Sequence, residues 1–288
     1  MSKMAKNLTI EELETKAGEI RKSIIEMLVT AGSGHSAGPL GLADIFAALY
    51  FDVLQHDPTK PDWEERDLLL LSNGHCVPVQ YAAMAHAGYF PLSELKTLRK
   101  LGSRLQGHPE RTKLPGLETT SGPLGCGISQ AAGMALSLQM QDIHHRWVYC
   151  ITGDGELDEG NIWEAAMFAG KNKLYNLTVI IDRNNIQIDG PTENVMPLED
   201  LHRKWDAFGW HVLEIDGNNM EDIIDACSMS RAIVEKPTVI IAHTIPGKGV
   251  DFMEYDYHWH GKPPKPDEAK IALHELRTLQ GRIRSEHE

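Results

Sequence analysis

The sequence predicts an α/β fold: a mainly parallel, twisted sheet with helices on both faces. Short apolar runs alternate with longer segments of helical period, which is the pattern of βαβ units. The runs are apolar throughout, as in Leu68-Leu69-Leu70-Leu71, and this suits strands buried on both faces. The informative motifs at 72–75, 153–155, 184–185 and 243–249 all fall where predicted strands end. In such sheets ligands bind beyond the carboxyl ends of the strands.

Thr9-Ile10-Glu11-Glu12 is a capping box. The helix it opens carries Leu13, Ala17, Ile20, Ile24 and Leu28 on one face, and Gly32-Ser33-Gly34 ends it. Gly38-Pro39 begins a second element, a helix over 43–53. A strand is expected over 68–72 and a helix over 77–86. Residues 102–125, with Gly, Pro and Thr throughout, read as a loop. A small-residue helix follows over 128–140, a central strand over 147–152, a helix over 160–173 and a strand over 177–182. The alternation continues with a helix at 198–208, a strand at 211–215, a helix at 220–235 and a last strand at 238–243. Asp267 caps a short terminal helix running to Leu279, with Leu273 and Leu276 as its apolar face.

The 288 residues are 42% hydrophobic, enough for one sizeable α/β core. A net charge of −13 argues against nucleic acid or an anionic membrane as the main partner. Cys76, Cys126, Cys150 and Cys227 form no CxxC pair and no metal spacing, so reduced thiols and a cytoplasmic location are expected. Residues 1–7 carry charge but no apolar core and do not read as a signal peptide. The longest apolar run, 68–71, is too short to cross a bilayer.

Gly153-Asp154-Gly155 follows a predicted strand and leads towards a helix. The glycines let the backbone turn sharply and approach a phosphate, and Asp154 offers a hard oxygen to a cation. Asn184-Asn185 lies one helix and one strand further on, at the same rim of the sheet. A carboxylate, an amide oxygen and a backbone carbonyl suit Mg²⁺ or Ca²⁺, with diphosphate and water completing the shell. A lone Gly-Asp-Gly is more often a tight turn; the paired motif at this spacing is far more specific.

This motif resembles the thiamine-diphosphate-binding motif of transketolases, 2-oxoacid decarboxylases and pyruvate dehydrogenases. The resemblance implies that Asp154, Asn184 and the carbonyl of Ile186 hold the metal (Mg²⁺, with Ca²⁺ or Mn²⁺ as substitutes). It implies that Gly155 donates its N–H to the diphosphate and that Glu156 belongs to the cofactor-binding set. Four more segments are similar to transketolases in particular: Ser33-Gly34-His35, Leu71-Ser72-Asn73-Gly74-His75, Gly107-His108-Pro109-Glu110 and Thr120-Ser121-Gly122-Pro123-Leu124-Gly125. The similarity spans roughly residues 10 to 265, making 1–265 one diphosphate-binding domain and 266–288 a tail.

A loop histidine is usually a surface or hydrogen-bonding group, but here each sits in a Gly-flanked loop at the rim. By resemblance, His35 and His108 contact substrate hydroxyls and shuttle protons, and His75 contacts diphosphate and substrate. His260 in His258-Trp259-His260-Gly261 reaches cofactor and substrate, with His258 as the alternative. Gly122, Pro123 and Leu124 lie over the cofactor. The family's GHPG reads here as Gly34-His35-Ser36-Ala37-Gly38, and Asn73 stands where Lys is commoner.

In the family a glutamate, an aromatic pocket and phosphate-gripping arginines come from a second, pyrimidine-binding domain, which this sequence does not contain. The resemblance therefore implies one chain of a split transketolase, completed by a C-terminal subunit in an α2β2 assembly. The expected reaction moves a two-carbon ketol unit from a ketose phosphate such as xylulose 5-phosphate to an aldose phosphate such as ribose 5-phosphate. Two other readings stand beside it: a split enzyme for non-pentose or modified sugars, and a non-catalytic chain that only binds the cofactor. The α-subunit of a 2-oxoacid dehydrogenase would lack the histidine set.

Overall fold

The computed structural model describes residues 8–278. Helix α1, Ile10–Ala31, starts on the expected capping box: the Glu12 N–H donates to Thr9 Oγ1 at 3.2 Å, and the Thr9 N–H donates to the Glu12 carboxylate at 2.8 Å. It stops at Gly32, whose φ of 65° is the left-handed cap that glycine adopts without strain. Helices α2, Ala37–Gly41, and α3, Ala43–Ala48, follow, and the chain then widens into a π-helical turn, Leu49–Val53. Strand β1 is Leu68–Leu71 and helix α4 is Val77–Ala87. Residues 102–125 contain no regular helix or strand.

Helix α5, Gly127–Met140, leads to β2, Val148–Gly153, then α6, Gly160–Lys171, and β3, Leu177–Arg183. A hairpin too short to show a period in the sequence comes next: β4, Ile186–Gln187, against β5, Gly190–Pro191. After it come α7, Thr192–Val195, α8, Leu201–Ala207, β6, His211–Asp216, α9, Met220–Ala232, and β7, Thr238–His243. The last described element is α10, Pro266–Thr278.

Several bounds move for local reasons. Helix α8 begins late because Asp200 caps it, accepting from the Arg203 N–H. Helix α9 ends at Ala232, where Ile233 turns to extended backbone with φ −84° and ψ 109°. Asp267 does not cap α10. Pro266 takes the first helical position, where its missing N–H costs nothing, and Asp267 sits inside the first turn, paired with Lys270 at 2.9 Å. Leu279 and residues 1–7 lie outside the described residues.

The main sheet has the order β1-β2-β3-β7-β6, every pair parallel. The period-two alternation of a strand sends neighbouring side chains to opposite faces. Leu69, Leu71, Tyr149, Ile151, Ile180 and Ile240 join the core under α1, α3, α4, α9 and α10. Leu70, Val148, Cys150, Val179 and Ile241 join the core under α5, α6 and α8. Both faces are covered, as the uniformly apolar strands require. In α10, Ala269, Ala272 and Leu276 are buried and Leu273 is half-buried, so this helix closes the first of the two cores.

Pairing fixes where the strands end. Gly153 of β2 lies opposite Asp182 of β3, which lies opposite Ala242 of β7. The chain therefore leaves three adjacent strands at one level, and that rim carries the site. Tight packing behind it limits side-chain size. A Cβ on Gly170 of α6 would lie 1.9 Å from the Phe208 carbonyl oxygen. Gly170→Ala is expected to destabilise the chain by about 2 kcal/mol or more through this overpacking, read as a lowered thermal midpoint. No described helix is long and apolar enough to cross a membrane.

Candidate functional site

At the rim, Asp154 opens a 3₁₀ turn, Gly155–Asp158, and is 1% exposed. Its Oδ1 accepts from the Gly155 N–H at 2.7 Å. Its Oδ2 accepts from the Asn185 N–H at 2.7 Å and from Arg183 Nη1 at 3.1 Å. Burial raises its carboxyl pKa, and the Arg183 charge opposes that rise. Arg183 also grips Glu193 and Glu199, at 2.6 and 3.0 Å, and so ties Asp154 to the segment after the hairpin.

Asn184 follows at the end of β3. Its Nδ2 donates to Asp182 at 2.8 Å and its Oδ1 accepts from the Ile186 N–H at 3.0 Å, which fixes the amide orientation and leaves Oδ1 a second lone pair. Asp182 is buried, accepts also from Thr244, and is pushed up to about 7 by desolvation first and then by the nearby Asp154 charge. Asn185 takes φ 63°, turning the chain so that Ile186 lies opposite Pro191 in the hairpin. Proline has no N–H to give the Ile186 carbonyl.

These groups border a cavity of about 300 Å³, also lined by His35, Asn73, His75, His108, Gly122, Leu124, Gln187, Ile188 and His260. Three imidazoles meet there. Ring centroids lie 4.8 Å apart for His35 and His75, 5.2 Å for His75 and His260, and 5.7 Å for His35 and His260. Desolvation, the largest cause, lowers the pKa of His35 to about 4 and that of His75 well below its usual value; His260 and His108 are lowered as well. Neutral imidazoles therefore line this space near neutral pH.

The geometry sorts the sequence candidates. His35, His75, His108, Gly122, Leu124, Asp154, Gly155, Glu156, Asn184, Ile186 and His260 all border the cavity. His258 does not: its side chain is 68% exposed and bonds Asp256 at 2.6 Å. Pro123 faces solvent between two lining residues. The Gly155 N–H, expected on the diphosphate, is engaged by Asp154.

Glu156 has a structural task that the sequence did not show. Its carboxylate turns into the protein and accepts from Ser72 Oγ, from the Gly125 N–H at 2.7 Å and from the Gly153 N–H at 3.1 Å. It lines the cavity and at the same time clamps three of its loops together, with one of its two oxygens carrying two of the three bonds. Glu156→Ala would strand these buried donors, and we expect a loss of at least about 3 kcal/mol together with weaker cofactor binding. Glu156→Gln, which keeps one acceptor, should fall between. Thermal melting and a thiamine diphosphate titration read both effects.

Sequence reasoning also passed over Gln187, Asp182 and Arg183. Asp182 carried a signal, an acidic residue ending an apolar strand; Gln187 carried none. The altered turn after His35 is accounted for. Ser36, where the family has proline, donates its hydroxyl to the Lys262 carbonyl at 2.6 Å and links the His35 loop to the His260 segment.

The family described as "Transketolase, thiamine diphosphate binding domain" matches residues 14–279. The chain belongs to the transketolase family. The 6-deoxy-6-sulfo-D-fructose transketolase subunit SqwG of a Clostridium species is 44% identical over 92% of this chain and 96% of its own length. One of the subunits of the apulose-4-phosphate transketolase of Phocaeicola vulgatus is 40% identical over 93% and 95%. A transketolase of Pichia stipitis solved with sedoheptulose 7-phosphate superposes with a TM-score of 0.87 at 33% identity, over 93% of this chain and 41% of that one. The chain thus spans less than half of the one-chain transketolase.

A transketolase of this family binds thiamine diphosphate, and the residues present fit such a ligand. Asn73 Oδ1, Gln187 Nε2, His35 Nδ1 and His260 Nδ1 are buried without a protein partner, and all four residues line the cavity. The donors able to take a divalent cation are the Asp154 carboxylate, Asn184 Oδ1 and the Ile186 carbonyl, a hard oxygen set. Among the described residues no three His, Cys, Asp or Glu side chains cluster as a metal site, so an amide and a backbone oxygen are needed to complete one.

Proposed function

We propose that this chain is the diphosphate-binding subunit of a two-chain, Mg²⁺-dependent transketolase. The observation that carries the reading is coverage: two relatives named as subunits match it nearly end to end. In this reading a C-terminal subunit supplies the pyrimidine-binding half of the site, in an α2β2 assembly, and the enzyme is cytoplasmic. The free cysteines, three of them buried, agree with a reducing location.

Asp154, Asn184 and Ile186 would hold Mg²⁺ against the diphosphate, and Gly122, Pro123 and Leu124 would cover the ring system. Thiamine diphosphate supplies the electron sink for a two-carbon fragment. The chain's own work is orientation and proton handling. His35 and His260 each present a buried, unpartnered Nδ1, and their neutral rings can hold or move a proton on a substrate oxygen. His108, at the exposed side of the cavity, meets hydroxyls further from the reacting carbon, and His75 spans substrate and diphosphate.

The donor is a ketose phosphate such as xylulose 5-phosphate and the acceptor an aldose phosphate such as ribose 5-phosphate. A second reading, a modified sugar, is favoured by the names of the two relatives, which refer to a sulfonated fructose and to apulose 4-phosphate. Co-purification should recover the partner, and the pair should transfer ketol units with thiamine diphosphate and Mg²⁺. Failure with xylulose 5-phosphate plus ribose 5-phosphate, alongside turnover of a sulfonated or branched sugar, would select the second reading. Full activity of the partner-free chain would refute the split enzyme.

A further inference from the structure

A second cleft lies at the other end of the sheet from the rim. It opens where strands begin: Arg66 stands two residues before β1 and Arg146 two residues before β2. From Arg146 to Gly153 the extended chain covers about 20 Å. The cleft has a volume of about 520 Å³, a size that takes a small molecule. None of its lining residues borders the cavity at the rim.

Its lining carries charges that the fold leaves unused. Arg66 is taken up by Glu118, with Nη2 donating to Oε2 at 3.1 Å. Arg146 spends only Nε, on the Arg66 carbonyl at 2.8 Å, so its two terminal NH₂ groups stay available. Arg111 is exposed and makes no side-chain hydrogen bond among the described residues. Neither Arg111 nor Arg146 has a carboxylate partner among the described residues, although acids outnumber bases by 41 to 28. Asp62 and Glu64 line the same cleft, are exposed, and likewise hold no ion pair there. Free cations and free carboxylates thus share one cleft without closing on each other.

The cleft also holds an unpartnered ring. Of the six tryptophans, Trp147, Trp163, Trp205, Trp210 and Trp259 each pack on another ring or on a cation. Trp63 is half-buried in the cleft lining and meets neither among the described residues. One ligand class uses all three features. A phosphate takes paired N–H donors from guanidinium groups. A purine ring stacks on an indole. The amino edge of the base donates to a carboxylate. A sugar phosphate would leave Trp63 unused, and a free base would leave the two arginines unused.

We propose that this cleft binds a purine nucleotide, at a site separate from the cavity at the rim. The proposal goes beyond the transketolase reading and does not depend on it.

The test is calorimetric titration with AMP and GMP, beside tryptophan fluorescence, on the chain co-purified with its partner. Saturating thiamine diphosphate and Mg²⁺ keep the rim cavity filled. At least one nucleotide should bind and quench fluorescence, and Trp63→Phe should lose the quench. Arg111→Met and Arg146→Met should each weaken binding about tenfold or more, the loss of a charged hydrogen-bonded contact. The Arg111 side chain bonds nothing, so Arg111→Met keeps the fold and its loss reads binding alone. Inorganic phosphate and adenosine, each with half of the recognition, should bind at least about tenfold more weakly than the nucleotide. No binding of either nucleotide would overturn the proposal. So would a nucleotide affinity unchanged in Arg111→Met, or a quench that survives in Trp63→Phe. Inorganic phosphate binding as tightly as the nucleotides would overturn it too, because the base would then count for nothing.

Discussion

Asp154→Asn is expected to leave the chain folded and to remove Mg²⁺-dependent binding of thiamine diphosphate, with ketol transfer falling at least about 100-fold. Groups that merely orient metal ligands already cost 10–100-fold when removed, and in the proposed site Asp154 supplies the carboxylate itself. The side chain is also the hub of the rim. It gathers the Gly155 and Asn185 N–H groups and the Arg183 guanidinium onto two oxygens. Asn retains the shape and one acceptor oxygen, so the three neighbours keep most of their packing. Ala would remove the hub and leave a buried cation facing only Glu193 and Glu199, so Asp154→Ala confounds folding with binding. Calorimetric titration with Mg²⁺ and thiamine diphosphate, beside thermal melting, separates the two effects. A normally binding Asp154→Asn chain would remove Asp154 from the cation site.

How far this site could be read from the sequence depends on the range of the interactions. The parallel sheet was legible because β1, β2, β3 and β7 are largely apolar and buried on both faces, although the edge strand β6 is half-exposed and partly polar, and α1 because its cap lies within four residues. The rim motifs were legible because strand ends in such a fold come together by topology. The clamping task of Glu156 was hidden for a physical reason. Beside Asp154 in sequence it reads as a ligand contact, yet its partners lie 84 and 31 residues away, at Ser72 and Gly125, and only the packed structure shows the carboxylate turning inward. The same holds for Arg183, whose value lies in bridging Asp154 to Glu193 and Glu199. His258 and His260 are two residues apart around a 3₁₀ turn, where neighbouring side chains diverge. No pattern in the sequence decides which enters the cavity. The Asp267 cap failed because Pro266 competes for the first helical position.

The histidines give the second large effect. His35→Ala and His260→Ala are each expected to lower kcat/KM by roughly 10²–10⁴-fold, the range for a positioned proton-transfer group, while the affinity for thiamine diphosphate stays close to wild type. Their rings are 5.7 Å apart and neither Nδ1 has a protein partner, so both face the same small volume. Groups acting as a unit are not additive, and the double variant should be little worse than the weaker single one. Losses that simply multiplied would mean two independent contacts.

The pH dependence follows from the neutral state of the cluster. His35 is depressed to about 4, by burial first and then by His260, Arg99 and His108, against 6.5 for a free imidazole. Between these values the unfolded chain binds more protons than the native one, so stability rises with pH across that window and is lost as pH falls from 6.5 towards 4. His35→Ala should flatten part of that slope. By the same sign, the acid limb of the wild-type kcat/KM profile that belongs to these imidazoles should lie well below 6.5. A limb at 6.5 that vanished in His35→Ala would mean that the His35 ring titrates like a free imidazole in the assembled enzyme, and the depression by burial would be overturned.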